Sequence, residues 1–255
     1  MRPRRRAARS ARDERDARVA AVSPRPRRLV PFCSEHSVAL AGGPFFARLA
    51  AVHVAAHHRR TMDAAIGLKA RTGRAILVAI GASGDAWHVL ERSQMPLLPP
   101  GAFAPYHAAE GLAPTAAQVS IDHDIADAHR LAADGIRAAS ARLAAAGHVV
   151  RACGVLVGPG MPGWSTAEIL AVHVRMHQAE GELFRDVLVA GARACGWAPV
   201  RLAEKSALDE AARALGATQS RLEARIAMLG KQAGAPWGKD QKEAAAVALA
   251  ALPAA

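Results

Sequence analysis

The sequence is poor in aromatic residues and long apolar runs, and each shortage excludes a class of protein. Aromatic residues make up 4% of the 255 residues, so the core must be built from alanine and aliphatic side chains, which favours helix-rich packing. No apolar run reaches the roughly 20 residues that a membrane helix needs. The N-terminus has no apolar region followed by a small-residue cleavage site, which argues against a secretory signal.

Cysteine is also scarce, and its three positions show no paired spacing. Cys153 lies in an apolar run and Cys195 lies near a predicted helix end, while Cys33 belongs to the N-terminal region. This pattern indicates free thiols in a reducing compartment, and we expect a cytoplasmic protein.

The net charge of +11 is concentrated in the N-terminal region. Fourteen arginines and four acidic residues precede Met62, whereas 19 basic and 18 acidic residues follow from Met62 onward. The part of the chain that carries the fold pattern is therefore nearly neutral. The basic isoelectric point of the whole chain does not predict a DNA-binding face.

Residues 1–61 are rich in Arg, Ala and Pro, and we expect a disordered extension with one short helix over Phe45–His58. Three interpretations remain open: a basic arm that contacts nucleic acid or acidic lipid, a targeting segment, or a reading frame extended upstream of a start at Met62. We favour the last, because the fold pattern begins immediately after Met62. Without nearby carboxylates or cysteines, the histidines of this helix are weak metal candidates.

Residues 62–255 are predicted to form one domain that opens with a three-stranded meander. Ile66–Leu68 begins the first strand, and Trp87–Arg92 forms the third. Between them, Ala75–Ile80 is an unbroken apolar run, as expected for a strand that is covered on both faces.

Helices and strands then alternate along the chain. The apolar patterns predict a helix over Thr115–Ala146, a strand over Val149–Val157, a helix from Ser165 to about Cys195, and a strand over Trp197–Glu204. Two short helices follow, and a final helix opens at Asp240. Asp240 and Glu243 have the spacing of a capping box, and the alternative is that these carboxylates reach a shared site.

The helix from Ser165 carries a row of candidate metal ligands. His173, His177 and Glu180 fall within about 60° of one another on one side of this helix. Two imidazoles and a carboxylate suit Zn or Fe, so a divalent metal is the candidate cofactor. The alternative is a set of half-buried histidines at a seam between helix and sheet.

A second group of candidates precedes the long helix. His107 and Glu110 are three residues apart, and a helical turn would place them side by side as a local hydrogen-bonded pair. The alternative is that both bind a ligand, together with Thr72 and Lys242.

From Met62 the elements run β-β-β-α-β-α-β-α, and the chain resembles the ribonuclease-H-like fold, including its Holliday-junction resolvase and actin-like ATPase branches. The resemblance rests on the meander after Ile66-Gly67-Leu68-Lys69-x-x-Thr72-Gly73, on Cys153–Val157, and on the final helix. It implies an α/β protein with a mixed five-stranded sheet flanked by helices. The motifs at His177–Asp186 and Pro236–Lys242 are also similar to those of a group of bacterial proteins without an assigned function.

The nucleases of that fold hold two divalent ions with clustered carboxylates, and the resemblance implies which positions would supply them. The first carboxylate stands in the middle of the first strand, where this chain has Lys69, and another often stands at the end of the fourth strand, where it has Gly158. Asp240 or Glu243 fits the position on the last helix. Because an ammonium repels Mg²⁺, the standard two-metal mechanism is not expected.

Lys69 is expected either to form a salt bridge with Glu180, Asp240 or Glu243, or to meet a phosphate or carboxylate ligand. Three functions follow. The first is a divergent ribonuclease-H-like domain that binds nucleic acid or another partner without two-metal catalysis. The second is a metal-dependent phosphodiesterase with rearranged carboxylates, drawn from Glu110, Glu180, Asp240 and Glu243. The third is a small metalloprotein that uses the His173, His177 and Glu180 row.

Overall fold

The computed structural model describes residues 61–84 and 86–253, which form a five-stranded sheet with helices on both faces. The predicted N-terminal extension and its helix lie outside these residues. The strands are β1 (Asp63–Arg71), β2 (Arg74–Ser83), β3 (Ala86–Pro96), β4 (Val149–Val157) and β5 (Val200–Ala203). The helices are α1 (Pro105–Ala108), α2 (Pro114–Ala145), α3 (Thr166–Leu170), α4 (His173–Ala194), α5 (Ala207–Ala214), α6 (Gln219–Ala233) and α7 (Lys239–Ala251), with a 3₁₀ turn over Glu204–Ser206.

The strands lie in the order β3-β2-β1-β4-β5. The meander β1–β2–β3 is antiparallel, whereas β4 pairs parallel to β1 and β5 pairs parallel to β4. A three-stranded meander extended by two crossover strands is the arrangement of the ribonuclease-H-like fold, which confirms the predicted fold class. Within the described residues, no helix is both long enough and apolar enough to span a membrane.

The sheet is covered on both faces, as the apolar run of β2 predicts. Every residue of Ala75–Ile80 is buried. Side chains of α2 and α4 pack in one apolar cluster against one face, and side chains of α5, α6 and α7 pack in a second cluster against the other. A strand buried on both faces cannot alternate polar and apolar residues, which is why β2 is apolar without interruption.

Helix α7 packs unusually close to the centre of the sheet because two glycines lie side by side beneath it. Gly67 of β1 pairs with Gly154 of β4 in the parallel register. A Cβ atom at Gly67 would lie 1.9 Å from the carbonyl oxygen of Ala244, and one at Gly154 would lie 2.5 Å from that of Val247. This close approach places the first turn of α7 beside the carboxyl-terminal half of β1.

The helix predicted from Ser165 to about Cys195 is two helices, so that prediction is wrong at its start. Ser165 and Glu168 form a capping box on α3, but the chain turns extended at Val172, with φ −141° and ψ 113°, before α4 begins. Val172 is 37% exposed because the break removes it from the helical face. His173 therefore stands in the first turn of a new helix.

The two described cysteines are free thiols. Cys153 is buried in β4, and burial raises the pKa of its thiol to about 12. Cys195 is half-buried at the end of α4. Neither thiol is activated as a nucleophile, because burial disfavours the thiolate.

Candidate functional site

Lys69 lies at the centre of the site, fully buried near the carboxyl end of β1. Its side chain is 1% exposed, and its Nζ faces three carboxylates. Nζ lies 3.2 Å from an oxygen of Glu204 and 3.2 Å from an oxygen of Asp240, and it donates a short hydrogen bond to Glu243. The salt bridge between Lys69 and the final helix, which the sequence analysis weighed, is therefore present with both acids.

A second layer of cations contacts the same acids from outside. Arg71 donates from Nε to Asp240 at 2.9 Å, and its other guanidinium nitrogen also binds that carboxylate. Arg185 of α4 donates to Glu204 at 3.0 Å. Each of the three acids is therefore paired with at least one cation of the chain itself.

The charge network shifts the pKa values of Lys69, Asp240 and Glu204. Burial by itself lowers the pKa of the Lys69 ammonium, but hydrogen bonds to Glu243, Glu204 and Asp240 outweigh it and raise that pKa. The hydrogen bond from Arg71, assisted by Lys69, lowers the pKa of Asp240 to about 2. Burial opposes ionisation of Glu204, yet hydrogen bonds from Arg185 and Lys69 lower its pKa. At neutral pH, Lys69 is an ammonium that faces ionised Asp240 and Glu204.

The predicted capping box of Asp240 and Glu243 is wrong. Helix α7 begins one residue earlier, and the side chain of Gln241 accepts the backbone N–H of Gly238 at 2.9 Å. The carboxylates of Asp240 and Glu243 point instead to the sheet, where Arg71 and Lys69 hold them. Two nearby cations outcompete a local backbone donor because charge-assisted hydrogen bonds are the stronger ones.

At the end of β4, where the resemblance implies a carboxylate, a side chain would meet the charged ends of Glu182 and Arg185. A Cβ atom at Gly158 would lie 2.7 Å from a carboxylate oxygen of Glu182 and 2.9 Å from a guanidinium nitrogen of Arg185. The guanidinium of Arg185 and the ammonium of Lys69 already hold the nearby carboxylates. The residues present do not fit the two divalent ions that the nucleases of this fold hold.

The other candidates are exposed or have a different partner. Thr72 occupies the turn between β1 and β2 and lines a small cleft with Arg71 and Arg185. Lys242 and Glu110 are exposed. Glu180 was grouped with Lys69 as a candidate, but it binds His107 instead.

Glu204 is a member of the site that the sequence analysis did not single out. It follows β5 directly, in the 3₁₀ turn. The signal that could have found it is its place at the carboxyl end of a parallel strand, the sheet edge where ligands bind in open α/β folds.

A second cluster joins three histidines from two helices. His107 belongs to α1, and His173 and His177 lie one turn apart on α4. The Nε2 atoms of His173 and His177 are 3.1 Å apart, and one ring nitrogen from each of the three residues lies within 4.8 Å of the others. Both α4 histidines are exposed, so the seam of half-buried histidines that was the alternative interpretation is not formed by them.

Glu180 supports this cluster from beneath. The residue is 3% exposed. One of its carboxylate oxygens accepts the backbone N–H of His107 at 3.1 Å and lies 2.7 Å from the Nδ1 of that ring. The predicted local pair of His107 with Glu110 is therefore wrong. Helix α1 is a single turn of four residues, and its histidine reaches across to α4 instead.

A groove lined by arginine and tryptophan lies on the face of the sheet that α5, α6 and α7 cover, between β3, α6 and the end of α7. We call it the Trp87 groove. Trp87 forms its base, and the guanidinium of Arg225 stacks 4.8 Å above the indole ring. Among the described residues, its lining includes no acidic side chain; the lining residues include Trp87, Leu215, Arg221, Arg225, Met228 and Gln232.

The lowered pKa of Asp240 gives the domain a defined acid sensitivity. Because the folded pKa of about 2 lies below the ordinary value of 3.8, Asp240 contributes stability above about pH 3.8 and loses it as pH falls toward 2. Denaturant unfolding of the wild-type and Asp240→Asn proteins between pH 5 and pH 2 measures the contribution of ionised Asp240 to the free energy of unfolding. We expect the gap in unfolding free energy between them to narrow as the solution becomes acidic. If the difference in unfolding free energy stays constant over this range, the pKa of Asp240 is not lowered in the folded protein.

Comparisons with known proteins leave the family of this chain open. No protein-family model matches the chain, and no curated protein matches its sequence. A solved structure that is similar to it is that of RuvC from Thermus thermophilus, at 10% sequence identity and a TM-score of 0.41, covering 73% of this chain and 92% of that one. We assign the fold from its own strand order and pairing.

Proposed function

We propose that this chain is a ribonuclease-H-like domain that binds nucleic acid and does not cleave it by the two-metal mechanism. The observation that carries the proposal is the ammonium of Lys69, buried among Glu204, Asp240 and Glu243. In the nucleases that the chain resembles, clustered carboxylates at this edge hold divalent ions across the scissile phosphate. Here the same kind of cluster holds a side chain of the protein itself.

A divalent ion at this edge would meet strong opposition. A doubly charged ion a few ångströms from an ammonium is repelled by several kcal/mol at the effective dielectric of a protein site. To bind, the ion would also have to displace Arg71 from Asp240 and Arg185 from Glu204. The acids therefore serve the fold as partners of internal cations.

The alternative of a phosphodiesterase with rearranged carboxylates has less support. It needs Glu110 and Glu180 beside Asp240 and Glu243. Glu110 is exposed, and Glu180 is committed to His107, whereas Asp240 and Glu243 face Lys69. The four carboxylates do not converge on one position that an ion could occupy.

The Trp87 groove favours nucleic acid as the ligand. The half-buried indole of Trp87 offers an aromatic surface to a base, and two arginines offer contacts to phosphates. Arg221 and Arg225 both line the groove, and Arg225 already stacks on Trp87 in the manner in which arginine stacks on bases. This combination is typical of single-strand binding, in which aromatic side chains alternate with positive charge.

One experiment measures binding and cleavage on the same labelled oligonucleotides. The full-length protein is titrated into single-stranded, hybrid and branched substrates with Mg²⁺ or Mn²⁺, and each sample is read first by fluorescence anisotropy and then on a denaturing gel. We expect a rise in anisotropy with intact substrate. Replacing Arg221 and Arg225 by alanine should weaken binding and reduce the slope of log affinity against log salt by about 1.4, since each lost phosphate contact contributes about 0.7.

The matched control is Arg213→Ala, which removes an exposed arginine that is paired with Asp209 and does not line the groove. This control matters because the arginines before Met62 also attract nucleic acid. Equal losses in the groove variant and in the control would reject the groove as the binding surface. If the wild-type protein cleaves the substrate with Mg²⁺ or Mn²⁺ and Asp240→Asn does not, the proposal that the domain lacks two-metal catalysis is wrong.

A further inference from the structure

We propose that His107, His173 and His177 form a binding site for a divalent metal ion of the zinc class. This inference is independent of the nucleic-acid proposal, because the site lies on α1 and α4 and shares no residue with the Lys69 cluster or the Trp87 groove. The ligand is an ion that prefers nitrogen donors.

The spacing of the ring nitrogens is close to that of a metal-bound set. In tetrahedral zinc sites the Zn–N distance is about 2.0–2.1 Å, which places two ligand nitrogens about 3.3 Å apart. The Nε2 atoms of His173 and His177 are already 3.1 Å apart, and the contributing nitrogen of His107 lies within 4.8 Å of both. An ion bound between them would draw the His107 nitrogen closer to the other two.

Glu180 prepares His107 to act as a ligand. Because a carboxylate accepts, the contact of 2.7 Å favours the tautomer of His107 with its proton on Nδ1, and in that neutral ring Nε2 carries the lone pair. A carboxylate behind a histidine ligand is the usual means of fixing ring orientation and tautomer at a metal site. Glu180 is buried for this contact although the imidazole that it holds is only partly buried.

The break between α3 and α4 contributes to the same arrangement. Val172 interrupts the helix, so that His173 begins α4 and His177 follows one turn later on the same side. Without an ion, the facing Nε2 atoms can share only one proton, and the third imidazole at the cluster gains no hydrogen bond from them. The geometry brings together three lone pairs that a single cation would satisfy.

The donor set selects the metal. Three neutral imidazoles suit Zn²⁺, Co²⁺, Ni²⁺ or Cu²⁺, whereas Mg²⁺ and Ca²⁺ need oxygen ligands. Three protein ligands leave one tetrahedral position for water or a small anion, as in zinc sites that carry chemistry. Because His173 and His177 are exposed, that position is open to solvent.

The test uses Zn²⁺ and Co²⁺ as probes on the full-length protein. We expect one ion bound at the cluster, measured by competition with a chromophoric chelator, and the intense visible absorption of four-coordinate Co²⁺. His177→Ala should weaken Zn²⁺ binding by roughly 100-fold or more, because losing a ligand costs more than losing its supporting residue. His129→Ala, an exposed histidine on α2, should leave the affinity unchanged.

The histidines before Met62 require their own control. A variant with alanine at His36, His53, His57 and His58 should retain the Co²⁺ spectrum if the ion sits at the proposed cluster. Loss of the spectrum in this variant, together with its survival in His177→Ala, would overturn the proposal.

Glu180 is tested as a positioning residue. Glu180→Gln should weaken Zn²⁺ binding by roughly 10- to 100-fold and shift the ¹⁵N resonances of His107 away from the pattern of an Nδ1-protonated ring. Glu180→Asp should restore part of the affinity. If Glu180→Gln lowers the melting temperature of the metal-free protein but changes neither the affinity nor the resonances, its role is structural and this part of the proposal fails.

Discussion

Replacement of Lys69 by methionine is expected to lower the free energy of unfolding at pH 7 by about 3–5 kcal/mol. Methionine nearly preserves the side-chain volume, so the loss reports charge rather than a cavity. It leaves Glu204, Asp240 and Glu243 facing one another without the central ammonium. Denaturant unfolding measures the loss, and Lys69→Arg, which keeps the charge, is the matched control.

The pH dependence of that variant separates electrostatics from packing. Without the ammonium, mutual repulsion raises the folded pKa values of Glu204 and Asp240, which Lys69 helps to lower in the wild-type protein. The deficit of Lys69→Met should therefore shrink as the pH falls to about 4 and grow as it rises. A deficit that stays constant over this range would show that Lys69 acts through packing alone.

The shorter variant Lys69→Ala adds room for an ion among the three acids. We expect millimolar Mn²⁺ or Ca²⁺ to raise its melting temperature while leaving the wild-type protein unchanged, because binding to the folded state alone stabilises it. Adding Asp240→Asn to this variant should abolish the response. An equal response in the wild-type protein would show that the ions act elsewhere.

Alanine at Gly67 is expected to destabilise the domain by about 3 kcal/mol or more, although it adds a single methyl group. The new Cβ would lie 1.9 Å from the carbonyl oxygen of Ala244 and 2.8 Å from the amide nitrogen of Ala248, both backbone atoms that no side-chain rotation can move away. Helix α7 would have to lift off the sheet. Thermal and denaturant unfolding of Gly67→Ala measure the effect.

Gly163→Ala is the control for this substitution. A Cβ atom at Gly163 meets nothing within 4 Å, and its backbone does not adopt a positive φ, so its stability should change by no more than about 0.5 kcal/mol. If Gly67→Ala and Gly163→Ala were equally stable, the close approach of α7 to β1 would be wrong.

Local pattern was sufficient for most of the fold. The apolar run of β2 and the second half of β4 were predicted correctly because burial on both faces leaves a pattern that needs no tertiary information. The break at Val172 was missed because no glycine or proline marks it. A β-branched residue in an otherwise helical pattern lowers helix propensity only slightly.

The partners within the candidate sites were harder to predict because they depend on distant contacts. The spacing of Asp240 and Glu243 fitted a local cap, but a lysine 174 residues from Glu243 in sequence competes for the second carboxylate. His107 had an acid three residues away, yet its partner is Glu180, which burial forces to find a donor. Local spacing shows which pairs are close, but burial decides which pairs form.

The position of α7 has a consequence for biosynthesis. It covers the central strands from one side, and it is the last helix of the described chain. Until the ribosome has made residues 239–251, this face of the sheet is not fully covered at Ile76, Val78 and Ile80. The nascent chain then exposes apolar strand surface that is prone to aggregation. Complete burial of this face therefore requires α7, and a chain that ends before Lys239 would be recognised by chaperones or degraded by proteases.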